Sequence, residues 1–236
     1  MNIPNEAIPY IIFQRTGYLN DRKFFKLLSW LGARFFFLHK TTVRIKTRLY
    51  GKLIETSFIQ DIEEDYRAIA SYLPNDVNRI LDIGSGVAGV DVLLSTHFDH
   101  GVHVHLLDKT ELEKHIYYNF NQKTAFYNSL DIAKKLLVDN GISKDKIHLH
   151  DADAPESCFE HRFDVITSFI SWGFHYPVST YIQSVTNSLT PNGVLILDLR
   201  KNTGGFEEIQ KYFKEVIVIF ESSKRLQVVA RRIRNL

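Results

Sequence analysis

At 236 residues with 44% apolar side chains and a net charge of +2, the chain can bury one good-sized core, and α/β units of this length are often single domains. Its one cysteine, Cys158, excludes an internal disulfide and suits a reducing compartment. The most apolar window, residues 27–38, is broken by Arg34 and falls short of the roughly 20 residues that cross a bilayer; with no secretory-signal pattern at the start, a cytoplasmic protein is expected.

The first 52 residues carry ten basic side chains against two acidic ones, so the rest of the chain is net acidic. Phe24, Leu27, Leu28, Leu31 and Phe35 recur at three-and-four spacing and predict an amphipathic helix over 21–38. Residues 42–49 alternate and are expected to be extended. A helix is expected over 57–73, opening at Thr56-Ser57 with Asp61, Glu63 and Glu64 early, where acids suit the helix dipole. The basic, aromatic segment therefore reads as an arm or lid over 1–56, followed by the main domain over 57–236. Such a surface could draw an anionic substrate, a nucleic acid or, through residues 21–48, a membrane surface. Equally, its aromatics could pack on the domain or bury in a homodimer.

The most informative stretch is Arg79-Ile80-Leu81-Asp82-Ile83-Gly84-Ser85-Gly86-Val87-Ala88-Gly89. A short apolar run enters a glycine turn, the pattern of a buried strand leading into a helix. Gly84 and Gly86 allow backbone angles a Cβ forbids and let a ligand lie against the main chain. Gly89 allows close packing of the helix on the strand. G-x-G-x-x-G alone also fits a dinucleotide. Asp82 opposes that reading, because a carboxylate there would repel a pyrophosphate.

Further along, residues 102–107 alternate and end at Asp108, and Ile147-His148-Leu149 precedes Asp151-Ala152-Asp153. Phe163-Asp164 opens an apolar run ending at Ser168, with Asp164 expected to serve a neighbouring strand's amides. Pro191-Asn192-Gly193 predicts a tight turn before the buried strand 194–198. Segments 216–220 and 225–231 predict a closing hairpin. Strand and helix alternate from residue 79 onward, which indicates a parallel sheet wound on both faces.

These stations together resemble the Rossmann-like, class I S-adenosylmethionine-dependent methyltransferases, whose first motif reads acidic-x-G-x-G-x-G; here Ala88 stands in the third-glycine place. The resemblance implies a doubly wound, mostly parallel seven-stranded α/β sheet with an antiparallel C-terminal hairpin strand and an added N-terminal helical, basic segment. It implies S-adenosylmethionine as cofactor, with S-adenosylhomocysteine as product. Asp82, Gly84, Ser85, Gly86, Asp108, Lys109, Asp151, Ala152, Asp153 and Ser168 are the implied cofactor contacts: Asp108 for the ribose hydroxyls, and Asp151 or Asp153 for the adenine amine.

Two aromatic insertions follow strands at the end where substrate choice should lie. One, residues 109–127, carries Tyr117 and Tyr118; the other, 168–177, carries Trp172, Phe174, His175 and Tyr176. These aromatics are the candidate substrate contacts. His175 is either the base for a hydroxyl acceptor or a structural residue before Pro177. Glu111, Glu113, His115 and Asp198 are weaker candidates, and no carboxylate set has metal-site spacing. The expected reaction is O-methylation of a small, sugar-like or secondary-metabolite acceptor. Protein or ribose methylation, a non-catalytic binding relative, and an NAD-dependent oxidoreductase are the alternatives.

Overall fold

The computed structural model describes residues 1–14, 36–112 and 127–234. The expected helix over 21–38 lies largely outside them, as do Glu113, His115, Tyr117 and Tyr118. Helix α1 spans Ile8–Gln14 and helix α2 spans Phe36–Ile69. Strand β1 (Arg79–Ile83) leads through the glycine turn to α3 (Gly89–His97), then β2 (His103–Asp108). A small antiparallel hairpin, β3 (Glu111–Leu112) and β4 (Tyr127–Asn128), forms the stem of the first insertion. There follow α4 (Leu130–Asp139), β5 (Ile147–Asp151), β6 (Phe163–Ser168), α5 (Ile182–Ser188), β7 (Leu189–Arg200), α6 (Gly205–Tyr212), β8 (Phe213–Glu221) and β9 (Arg225–Ile233).

The seven-stranded sheet runs β5-β2-β1-β6-β7-β9-β8. Strands β5, β2, β1, β6 and β7 are parallel, in registers such as His105 opposite His148 and Leu81 opposite Ile166. Strand β9 is inserted antiparallel to both β7 and β8. Side chains of the parallel strands alternate between two buried faces, as a sheet covered on both sides requires. Ile80, Val104, Leu106, Val165 and Ile196 pack with the cluster that includes α1, α2, α3 and α4 residues. Leu81, Ile83, Leu107, Ile166 and Leu197 pack on the other side with Ile182, Val185 and Ile209. The order of connection reverses between β1 and β6, and at such a switch point the carboxyl ends of the strands open a crevice.

Several local expectations are corrected. Residues 42–49 are helical, within α2, and not extended. Their β-branched residues disfavour helix by less than about 1 kcal/mol each, which a continuous helix overrides. Helix α2 also runs through Thr56-Ser57 rather than starting there, so it crosses the expected 56/57 boundary. The Thr56 hydroxyl donates to the Lys52 carbonyl (2.9 Å), the bond of a helix interior rather than of a cap. The one break in helical backbone is at Tyr50 (φ −130°, ψ 16°). Pro191-Asn192-Gly193 lies inside β7, where the pairing with β6 slips between Phe163 and Val165. Gly89 packs not on the strand but on α2: a Cβ there would meet the Phe58 ring at 2.7 Å.

Helix α1 belongs to the main core. Ile8, Ile11 and Ile12 are buried together with Ile54 and Ile62 of α2. Substituting Ile11→Val is therefore expected to cost about 1 kcal/mol, read as a lower urea midpoint with an unchanged slope.

Candidate functional site

The glycine turn brings β1, β2 and β5 together at one end of the sheet. Gly84 (φ +76°) and Gly86 (φ +57°) both take left-handed backbone, accessible to glycine at little cost. A Cβ on Gly84 would collide with the Ser171 hydroxyl, and one on Gly86 with the Gln14 side chain at 2.7 Å. Thus α1 and the loop after β6 both lean on the turn.

Asp108 ends β2, and its carboxylate is claimed by main-chain amides. One oxygen accepts from Gly86 N–H (2.8 Å), the other from its own neighbour Lys109 N–H (2.7 Å). Burial pushes it up to about 6, against the lowering effect of these amides and of Asn128. A carboxylate has about four lone-pair sites, so a vicinal diol can still donate to both oxygens. The loop after β5 closes beside it: Ala152 N–H donates to the Asp108 carbonyl (3.1 Å), Asp151 accepts from Asp153 N–H (2.9 Å), and Asp153 pairs with Lys109 at 2.9 Å. Gly84, Ser85, Gly86, Asp108, Lys109, Asp151, Ala152 and Asp153 thus converge. Asp151 and Asp153 are exposed.

Two expected cofactor contacts lie beneath this surface. Asp82 is 4% exposed; its carboxylate accepts from the Thr167 hydroxyl (2.9 Å) and faces Asp91 of α3. Burial raises Asp82 to about 7, and burial with the Asp82 charge raises Asp91 well above its ordinary range. The pair therefore retains a proton near neutral pH and supports the turn from below. Ser168 is likewise filled, donating to the Ile83 carbonyl (2.7 Å) and accepting from Trp172 N–H. Asp164 does what the sequence suggested: it accepts from the amides of Asn78 and Arg79 and from the Thr190 hydroxyl.

On the acceptor side, Trp172 is corrected from substrate contact to core residue: it is fully buried, and its indole donates to the Val178 carbonyl (3.0 Å). Tyr176 is 7% exposed within the same cluster, and burial pushes its hydroxyl far up. Phe174 and His175 are half-buried. The rings of Phe174 and His175 meet edge-on at 5.2 Å. Burial, then the Arg200 charge, lowers His175 below its ordinary value of 6.5, so the imidazole is neutral at pH 7. Asp198 is buried in an ion pair with Arg225 (3.1 Å), which also reaches Asp65. Among the described residues no group of three or more His, Cys, Asp or Glu is arranged to hold a metal ion.

Sequence reasoning overlooked Asp91, Gln14, Asn128 and Arg200. Asp91 had a signal: an acid inside the apolar run Val90-Asp91-Val92-Leu93-Leu94, the anomaly that drew notice to Asp82. Gln14 and Asn128 had none, since only the fold brings them together (3.4 Å) above Gly86.

The sequence matches no protein-family model and no curated protein. Solved structures do match. An S-adenosylmethionine-dependent O-methyltransferase of Thermotoga maritima superposes with a TM-score of 0.53 at 12% identity, over 74% of this chain and 66% of that one. The fold is that of the class I methyltransferases. A methyltransferase of Pyrococcus furiosus gives 0.50 at 16% identity, over 72% and 81% of the two chains. A ribosomal-RNA methylase of Streptococcus thermophilus gives 0.49 at 14% identity, over 73% and 96%.

The residues at the turn suit the group this fold implies. The Ser85 hydroxyl is buried without a partner among the described residues, and Asp108 offers paired acceptors. A dinucleotide fits worse. Its pyrophosphate would need the Gly86 amide, and that amide already donates to a carboxylate.

Proposed function

We propose that the chain is an S-adenosylmethionine-dependent methyltransferase acting on the hydroxyl of a small acceptor. The observation that carries the reading is the bond between Asp108 and Gly86 N–H, which sets a ribose-binding carboxylate against the glycine turn. Asp108 would hold the ribose hydroxyls, Ala152 and the Asp151 and Asp153 carboxylates the adenine, and the Ser85 hydroxyl the amino-acid end. When bound, S-adenosylmethionine supplies an electrophilic methyl group on sulfonium.

The chain's own task is then to place a hydroxyl and remove its proton. His175 is suited to this: it is neutral, half-buried and on the loop after β6, one turn from the Ser171 that packs on Gly84. Phe174 would flank the acceptor. In this reading α1 packs into the catalytic body and its Gln14 covers Gly86.

Calorimetric titration with S-adenosylmethionine, S-adenosylhomocysteine and NAD tests the cofactor: heat with the first two alone is expected, and heat with NAD alone would overturn the reading. For the acceptor step, His175→Gln is expected to lower kcat about a hundredfold, the range of a lost general base, with cofactor affinity unchanged. An unaltered kcat would return His175 to a structural role.

A further inference from the structure

Arg200, the last residue of β7, stands apart from the other cations of its neighbourhood. Its sheet partner Arg225 is bound to Asp198 and Asp65, Lys201 to Glu221 (2.5 Å), and Arg231 to the Tyr72 carbonyl. Arg200 itself is half-buried, and its guanidinium makes no ion pair or hydrogen bond with any described residue. It lies instead over the Phe174 ring, 5.6 Å from the centroid, and near enough to His175 to depress its basicity.

The placement is fixed by backbone. Arg200 N–H donates to the Gly173 carbonyl (3.0 Å), and a Cβ on Gly173 would meet Leu199 at 2.9 Å and the Asp198 carbonyl at 3.1 Å. Strand β7 and the loop after β6 are thus held against each other, with Phe174, His175 and Arg200 at their junction. A partly desolvated cation without a counter-charge is costly. Arginine's planar fork is matched to carboxylate or phosphate, and the aromatic ring beside it adds a cation–π attraction.

We propose that Arg200 recognises an anionic oxygen group, a carboxylate or a phosphate, on the methyl acceptor. The proposal rests on the methyltransferase reading and narrows its acceptor from any hydroxylated small molecule to an acidic one. The anion, seated on Arg200 against Phe174, would hold the acceptor's hydroxyl toward His175. Neutralising the Arg200 charge would also release its effect on His175, so an acidic acceptor strengthens the base as it binds, whereas a neutral one does not.

The test uses benzoate, phenyl phosphate and neutral benzamide as probes on the full chain, with and without S-adenosylhomocysteine. Binding is followed by calorimetry and the His175 ring by NMR pH titration. At least one anion should bind and move the His175 midpoint upward, while benzamide does neither; benzoate against phenyl phosphate tells carboxylate from phosphate. Arg200→Gln should weaken anion binding about tenfold or more, the scale of one charge-assisted contact, and abolish the His175 shift. Arg200→Lys, which keeps the charge without the fork, should retain part of both and guards against loss of folding in the first variant. Heat with S-adenosylhomocysteine but none with either anion, or anion binding undiminished in Arg200→Gln, would overturn the Arg200 assignment alone. No heat with S-adenosylhomocysteine, with anion binding intact and dependent on Arg200, would instead overturn the methyltransferase reading.

Discussion

Replacing Asp108 with alanine is expected to weaken S-adenosylmethionine binding about a thousandfold. The figure follows from two charge-assisted hydrogen bonds to a ribose diol at about 2 kcal/mol each, with tenfold in affinity for every 1.4 kcal/mol. The same change strips the amides of Gly86 and Lys109 of their acceptor. Removing a carboxylate that burial holds at about 6 also relieves a desolvation penalty at pH 8, so the fold should survive and circular dichroism should be preserved. The charge dependence adds a second check. Ribose hydroxyls donate best to the ionised form, so wild-type affinity should rise with pH through about 6 and level off above it, whereas the variant's should stay flat. A turn built for pyrophosphate would behave in the opposite way: freeing Gly86 N–H from a carboxylate would then improve NAD binding.

How far the sequence alone reached depends on which physical signal each residue carried. The sheet was readable because its parallel strands are buried on both faces, giving apolar runs such as Arg79–Ile83 and Phe163–Ser168 that end at sharp chemical punctuation. The glycine turn and Asp108 were readable for the same reason. Residues 42–49 are helical against expectation because Val43, Ile45, Thr47 and Leu49 alternate with Arg44, Lys46 and Arg48 as in a strand, and local propensity is weak against helix continuity. Trp172 shows a different limit. An aromatic in a loop can face ligand or core, and nothing in Ser171-Trp172-Gly173 says that its indole finds the Val178 carbonyl. Asp82 was rightly seen as anomalous. Yet its consequence depended on Asp91 and Thr167, which only the packing of α3 and β6 on β1 brings to it. Arg200 had no sequence signal at all, because a cation without an ion pair among the described residues is defined by what its neighbours do.

The largest expected effect on stability comes from a part of the sheet that touches no candidate ligand. His103 and His105 of β2, His148 and His150 of β5, and His161 gather on one face. The ring nitrogens of His103 and His148 lie 3.0 Å apart, those of His105 and His150 2.9 Å, and the His105 ring stacks on His148 and His150 at 4.3 and 5.1 Å. His161 closes over His105 at 4.9 Å. Burial, then the neighbouring imidazoles of His148, His150 and His161 and the charge of Arg79, hold His105 at about 2; burial, His161 and His148 hold His150 at about 4. His148 is lowered too, though Asp145 works against the shift. A histidine held below its ordinary 6.5 takes up a proton in the unfolded chain before the folded one, so its contribution is intact above pH 6.5 and is lost as pH falls. Between pH 6.5 and 4, at about 1.4 kcal/mol per unit, His105 alone should remove about 3 kcal/mol. The half-buried His150 adds less. Buried carboxyls oppose this over the same window: Asp82, Asp108 and Asp198 are raised to about 7, 6 and 6 by burial, so their contribution is complete below the ordinary carboxyl range and is lost as pH rises through those values. The wild-type profile is the balance of the two. The difference between wild type and His105→Asn isolates the imidazole, because asparagine keeps a hydrogen-bonding amide near His150 without titrating. Urea midpoints taken at pH 4, 5.5 and 7.5 should show the variant losing about 3 kcal/mol less than wild type on acidification. Parallel profiles for the two proteins would mean that the histidine face relaxes or takes up water before it protonates, and that the ladder contributes packing rather than proton linkage.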